Sequence, residues 1–197
     1  MKLVLASSNA GKLEELRSLL ADTGIELVAQ SDLGVEDADE IGTTFVENAL
    51  IKARHASLQS GLPALADDSG ICVDALNGAP GLYSARYAGG HGDAQRNIDK
   101  LLDALHDVAG EQRGAHFYCV LVLLRHAHDP QPLIVEGEWR GRILHERHGT
   151  GGHGYDPVFF DPQRGQSAAE MPLDEKNRIS HRGKALAGLK QRLLDLP

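Results

Sequence analysis

Leu65-Ala66-Asp67-Asp68-Ser69-Gly70 sets two adjacent carboxylates and a hydroxyl directly after a short apolar run, and Ile71-Cys72-Val73 restores the apolar character at once. Gly70 is able to bend the chain, so the pattern places the carboxylates at a strand end or in a tight corner between two strands. Taken alone, the segment has good turn chemistry, and a solvated turn is its simplest reading. The second reading is chemical. Two like charges side by side are costly to bury unless a cation or a proton sits between them. A divalent metal is the usual resolution, and carboxylate oxygens are what Mg2+ prefers.

The bulk of the chain narrows the field. Its 197 residues suffice for one large domain, or one domain of two lobes, with a real core. Hydrophobic residues at 42% and charged residues at 24% are ordinary for a globular protein. A formal net charge of -8 disfavours a nonspecific nucleic-acid binder. An anionic substrate therefore needs a local cluster of Lys and Arg. Cys72 and Cys119 lie in apolar, strand-like contexts and read as buried free thiols, with no disulfide framework or clustered zinc site. Lys2-Leu3-Val4-Leu5 is too short for a signal peptide, and no apolar run reaches membrane-spanning length. A cytoplasmic protein, binding neither membrane nor nucleic acid, is the expectation.

From the N-terminus, Leu3-Val4-Leu5-Ala6 reads as a buried strand and Leu13, Leu16, Leu19 and Leu20 as one face of a helix. Between them lies the polar loop Ser7-Ser8-Asn9-Ala10-Gly11-Lys12. A loop at a helix N-terminus is a natural anion site, because free N–H groups point into it, and Lys12 strengthens that reading. The loop fails as a Walker A motif: Ala6 replaces the first glycine, and Leu13 stands where Ser or Thr should be. Glu26 to Ala29 reads as a second strand, followed by the acidic run Glu36-Asp37-Ala38-Asp39-Glu40. Thr44-Phe45-Val46-Glu47 fits a capping box, predicting a helix to about Ser60, where Gly61 and Pro63 stop it. The acidic run thus sits just before a helix, from which one carboxylate can fold back toward Asp67 and Asp68.

Gly78 to Tyr87 is a Gly- and Pro-punctuated loop, after which Asp93 can cap a long amphipathic helix bearing Ile98, Leu101, Leu102, Leu105 and Val108. Phe117 to Leu124 reads as a central strand, and Leu133 to Leu144 as a strand pair or one long bent strand with Trp139 in the core. Gly149-Thr150-Gly151-Gly152-His153-Gly154 matches the dinucleotide fingerprint letter by letter, yet Tyr155-Asp156-Pro157 follows instead of a helix. What remains is a flexible glycine loop displaying Tyr155 and Asp156. Val158-Phe159-Phe160 is another short strand. Ser180 is a good N-cap that puts His181 and Arg182 at the positive end of a last helix.

A lysine loop at a helix N-terminus, carboxylates in two places, a glycine loop and His-Arg at a second helix N-terminus are the parts needed to hold a metal-bound polyphosphate with a ring beside it. The sequence closely resembles the inosine triphosphate pyrophosphatase family. The resemblance rests on Ser7 to Lys12, Thr44 to Ala49, Lys52-Ala53, Ala66 to Gly70, Gly78 to Gly81, Ser84 to Tyr87, Gly151 to Pro157 and Ser180 to Gly183, which run in the family's order over nearly the whole chain. It implies an α/β fold, a long mixed sheet flanked by helices, with two lobes and a central cleft, in a homodimer. It implies Mg2+-dependent hydrolysis of non-standard purine nucleoside triphosphates (ITP, dITP, XTP) to the monophosphate and pyrophosphate.

The resemblance also distributes roles. Ser7, Ser8, Asn9, Ala10, Gly11 and Lys12 would hold the triphosphate, with Lys52 and Lys176 adding positive charge. Glu40 and Asp68 would bind Mg2+, with Asp68 as general base. Ser69, Gly154, Tyr155 and Asp156 would line the nucleotide pocket, and His181 with Arg182 would read the purine edge. As donors, His181 and Arg182 suit the 6-keto oxygen of hypoxanthine or xanthine, whereas adenine presents a donor there. His153 stands where the family usually has a Phe that stacks on the base. Imidazole stacks with less area and adds a titratable group, and an exposed loop histidine without a role is the other reading. The rival functions are a non-catalytic nucleotide-binding protein of the same fold, a phosphohydrolase releasing orthophosphate, and, from the glycine loop alone, a dinucleotide-dependent oxidoreductase.

Overall fold

The two aspartates lie inside one continuous strand, not in a turn. In the computed structural model, which describes residues 1–90 and 92–194, strand β3 runs unbroken over Ala64–Val73. Gly70 lies inside that strand and does not end it, and the carboxylates find cations within the fold. The other elements among the described residues are β1 (Lys2–Leu5), α1 (Ala10–Leu20), β2 (Glu26–Ala29), α2 (Phe45–Ser60), α3 (Ala94–Ala104), β4 (Gly114–Leu124), β5 (Leu133–Ile143), β6 (Phe159–Asp161), β7 (Gln166–Ser167), α4 (Leu173–Ile179) and α5 (His181–Leu194).

The strands form one mixed sheet in the order β2-β1-β3-β4-β5-β6-β7, so the expected α/β architecture is present. β1 pairs in parallel with β2 and β3, while β5-β6 and β6-β7 are antiparallel. The 133–144 region is a single strand, not a pair. No helix among the described residues is long and apolar enough to cross a membrane.

The chain divides into two compact units, and the divisions fall within β3, β4, β5 and the first turn of α5. Among the described residues the first comprises 1–68, 119–137 and 182–194. Its core gathers Leu3 and Leu5 of β1, Leu16 and Leu20 of α1, Leu65 of β3, Leu121 of β4 and Leu186 and Leu189 of α5. Asn9 caps α1 by accepting from the Lys12 N–H at 3.0 Å, and Thr44 caps α2 by accepting from Glu47 N–H. Glu47 reaches back to the N–H and hydroxyl of Thr43, one residue before the N-cap, so the predicted capping box closes in a slightly wider form. Helix α2 then ends on Gly61 in a left-handed conformation, as its sequence predicts.

The second unit comprises, among the described residues, 69–90, 92–118 and 138–181. Ile98 and Leu101 of α3 pack with Phe117, Trp139, Val158 and Phe159. Asp93 caps α3 by accepting from Arg96 N–H, but the helix stops at Ala104, leaving Leu105 and Val108 beyond it, both still packed on the core. Phe117 and Phe159 ring centroids lie 4.6 Å apart, and Trp139 donates to Asp161 at 2.8 Å. The thiols differ: Cys119 is buried as expected, whereas Cys72 is only half-buried, because alternate residues of β3 point to opposite faces.

Arg113 is fully buried and bonds entirely to main-chain oxygens. Nε donates to Ile143 O at 2.9 Å, Nη1 to Leu105 O at 2.6 Å, and Nη2 to Leu144 O at 2.8 Å. This fastens the end of α3 to the end of β5. Replacing Arg113→Met leaves those carbonyls short of donors and is expected to cost about 2–3 kcal/mol, read from denaturant midpoints.

Candidate active site

Because side chains alternate along a strand, Asp67 and Asp68 project to opposite faces of β3 and meet different partners. Asp67 is fully buried. Its Oδ1 accepts from Lys12 Nζ at 2.6 Å, and its Oδ2 accepts from Arg182 Nε at 2.7 Å, with the Cys119 sulfur 3.4 Å away. Arg182 donates onward through Nη1 to Glu15 at 2.7 Å. Burial pushes the Asp67 carboxyl up, but Arg182 and Lys12 outweigh it and hold the group well below the usual carboxylate range. The same burial, with Asp67 alongside, drives the Cys119 thiol well above its usual value, so it stays protonated.

Asp68 shares a single cation with a second carboxylate. Lys52 Nζ donates to Asp68 Oδ1 at 2.7 Å, Glu40 Oε1 at 2.9 Å and the main-chain oxygen of Asp67 at 2.9 Å. Burial raises the Asp68 carboxyl; Lys52 lowers it and Glu40 raises it, and the balance lies above the ordinary value. The acidic run therefore does fold back toward the aspartates, through Glu40. Asp37, from the same run, accepts from Ser8 Oγ at 2.7 Å and from Gln30 at 2.5 Å, and so ties the run to the polar loop before α1.

Glu40 and Asp68 offer a pair of hard oxygen donors. Both reach one cationic centre, and two carboxylates with water and phosphate completing the shell suit Mg2+ better than a closed all-protein cage. No group of three or more His, Cys, Asp or Glu side chains placed to hold a metal occurs among the described residues.

In the second unit the glycine loop is built differently from its sequence reading. Tyr155 and Asp156 are buried, not displayed. The Tyr155 hydroxyl donates to Ser84 O at 2.8 Å, and burial raises its ionisation well above the usual tyrosine value. Asp156 accepts from the N–H of His153 at 2.8 Å and from Lys176 Nζ, itself nearly buried. Gly152 has φ +72°, and a Cβ there would lie 2.1 Å from Asp156 Oδ2. The backbone thus closes on the loop's own carboxylate. The His153 side chain is exposed.

The structure thus gathers the predicted residues into local groups. Lys12 and Arg182 meet on Asp67; Glu40, Lys52 and Asp68 meet on one ammonium; His153, Asp156 and Lys176 meet on one carboxylate. Ser7 accepts from Asn9 N–H at 3.1 Å and shapes the turn into α1, while Ser69 follows Asp68 within β3. His181 opens α5 and stacks on Phe117, with ring centroids 4.8 Å apart and planes 12° from parallel. The sequence reading set Asp67 beside Asp68 at one shared cation, whereas the structure gives Asp67 its own two cations; Glu15 and Asp37 had no assigned role. Strand periodicity was the available signal for Asp67, since reading 64–73 as one strand forces its carboxylate away from that of Asp68.

Known proteins resemble this chain over nearly its whole length. A relative from Xanthomonas campestris pv. campestris (strain 8004), named dITP/XTP pyrophosphatase, is 64% identical over 191 residues, covering 97% of this chain and 96% of its own. A Shigella flexneri protein of the same name is 60% identical over 185 residues, covering 94% of each chain. The solved structure of a HAM1 protein from Coxiella burnetii superposes with a TM-score of 0.93 at 48% identity, covering 100% of both chains. The sequence model of the Ham1 family matches residues 3–192, and with these full-length relatives the chain belongs to the Ham1 family.

Proposed function

We propose that this protein is a nucleoside triphosphate pyrophosphatase that hydrolyses non-standard purine nucleoside triphosphates, ITP, dITP and XTP, to the monophosphate and pyrophosphate. The observation that carries this reading is the contrast between the two neighbouring aspartates. One is saturated by cations and fixed in its ionised form; the other is raised in proton affinity and shares a cation with Glu40. Neighbouring carboxylates with opposite shifts divide labour, one structural and one chemical.

In this reading the loop from Ser7 to Lys12 takes the triphosphate, using N–H groups at the start of α1 and the Lys12 ammonium. Lys52 and Lys176 add positive charge, and Ser69, Gly154, Tyr155 and Asp156 shape the nucleotide pocket. Asp68 orients a water and accepts its proton as the oxygen attacks the α-phosphorus. The bond between the α-phosphorus and the bridging oxygen then breaks, and pyrophosphate leaves. Mg2+ held by Glu40 and Asp68 would supply charge neutralisation on the phosphates. His181 and Arg182 read the 6-keto oxygen, with His153 beside the base. The same reading carries a homodimer and a cytoplasmic location.

Purified protein given ITP, dITP, XTP, GTP and ATP, with and without Mg2+, is expected to release pyrophosphate from the first three only with Mg2+. Little is expected from GTP or ATP. Orthophosphate as the sole product would replace this reaction with terminal phosphate removal; tight ITP binding without turnover would leave a nucleotide-binding protein.

The two aspartates separate in mutants. Asp68→Asn is expected to lower kcat by about 100-fold or more while leaving the melting temperature nearly unchanged, since its charged form is disfavoured by burial. Asp67→Asn leaves Lys12 and Arg182 without their shared counterion and is expected to destabilise the fold by about 3–5 kcal/mol, measured by urea unfolding.

A further inference from the structure

The Lys52 ammonium occupies the centre on which the proposed metal ligands converge. Its Nζ donates to Glu40 Oε1, Asp68 Oδ1 and Asp67 O, all within 2.9 Å. An ammonium carries three N–H donors, so these acceptors account for all of them. The lysine approaches from α2 and Glu40 from the run before it, while Asp68 sits mid-strand in β3; the ammonium is what draws the three segments together.

A divalent cation drawing on the same two oxygens must take the space the ammonium fills, and two cations at such a separation repel strongly in a half-buried site. We propose that Lys52 is a built-in counterion that keeps the Glu40–Asp68 pair together and closes it to the bare metal, so that metal enters together with nucleotide. The incoming phosphates then offer the ammonium replacement acceptors, and its flexible four-carbon stem lets it follow them while the carboxylates turn to the metal. Without such a device, two neighbouring carboxylates would either repel each other or fill with whatever divalent cation is at hand. This inference rests on the assignment of Glu40 and Asp68 as metal ligands in the proposed function.

The test is Mn2+ binding to nucleotide-free protein, followed by the magnetic resonance signal of the free ion, in wild type and in Lys52→Met. Lys52→Met is expected to bind Mn2+ about tenfold more tightly than wild type, and Lys52→Met/Glu40→Gln to lose that gain. Equal or weaker Mn2+ binding by a folded Lys52→Met protein overturns the inference.

Wild type supplies a second arm that needs no variant to fold. Mg2+ alone is expected to leave its Tm unchanged, whereas Mg2+ with a non-hydrolysable ITP analogue raises it; an equal rise with Mg2+ alone overturns the inference. Pyrophosphate release from ITP by wild type reports on the reaction separately. An enzyme that turns over ITP without the Mn2+ gain in Lys52→Met keeps its function and loses the counterion. A gain in Mn2+ binding without ITP turnover keeps the counterion and loses the reaction.

Discussion

Everything at the candidate site follows from the two-residue alternation of a single strand crossing the sheet. Adjacent carboxylates in a turn share one environment and one set of solvent contacts. In β3 they are separated by the pleat: Asp67 faces Lys12 and Arg182, and Asp68 faces Lys52 and Glu40. A buried carboxylate survives only where opposite charge and hydrogen bonds offset its lost hydration. Asp67 meets that condition with two cations reaching it from α1 and α5, 55 and 115 residues away in sequence. Their convergence fixes the start of both helices relative to β3, and the polar loop before α1 inherits its position from this arrangement.

The parts of the fold legible in the sequence are those specified by neighbours a few residues apart. Thr44 with Glu47, Asp93 before α3 and Gly61 after α2 are local signals, and each stands in the structure at or within one residue of its predicted place. The apolar run of β4 was equally plain. The strand through Asp67-Asp68-Ser69-Gly70 was not, because four turn-forming residues in a row outweigh the apolar flanks until distant cations are counted. No local pattern announces that Lys12 and Arg182 will meet on Asp67. The half-burial of Cys72 and the early end of α3 were hidden for the same reason, being consequences of strand pairing and packing, not of composition.

The loop from Gly149 to Gly154 teaches the converse lesson. Its spacing matches a dinucleotide fingerprint letter by letter, and its glycines read as a flexible loop displaying Tyr155 and Asp156. Instead the glycines allow the chain to close on itself. A Cβ at Gly149 would press on Ala169 and Glu170, and one at Gly152 on the Asp156 carboxylate. With Lys176 on the same carboxylate, the loop is held by one buried charge, and Tyr155 is pinned through its hydroxyl to Ser84.

The acidic run before α2 has neither helix nor strand over residues 35–42, so no ladder of main-chain bonds sets its register. Its register is set by anchors at intervals: His55 on the carbonyl of Glu36, Ser8 and Gln30 on Asp37, and Lys52 on Glu40. A segment held this way resembles a belt fastened at separate holes. Its side chains between the anchors are free to vary, but its length is not. Adding or deleting one residue between Asp37 and Glu40 would shift a carboxylate off its ammonium while leaving every helix and strand intact.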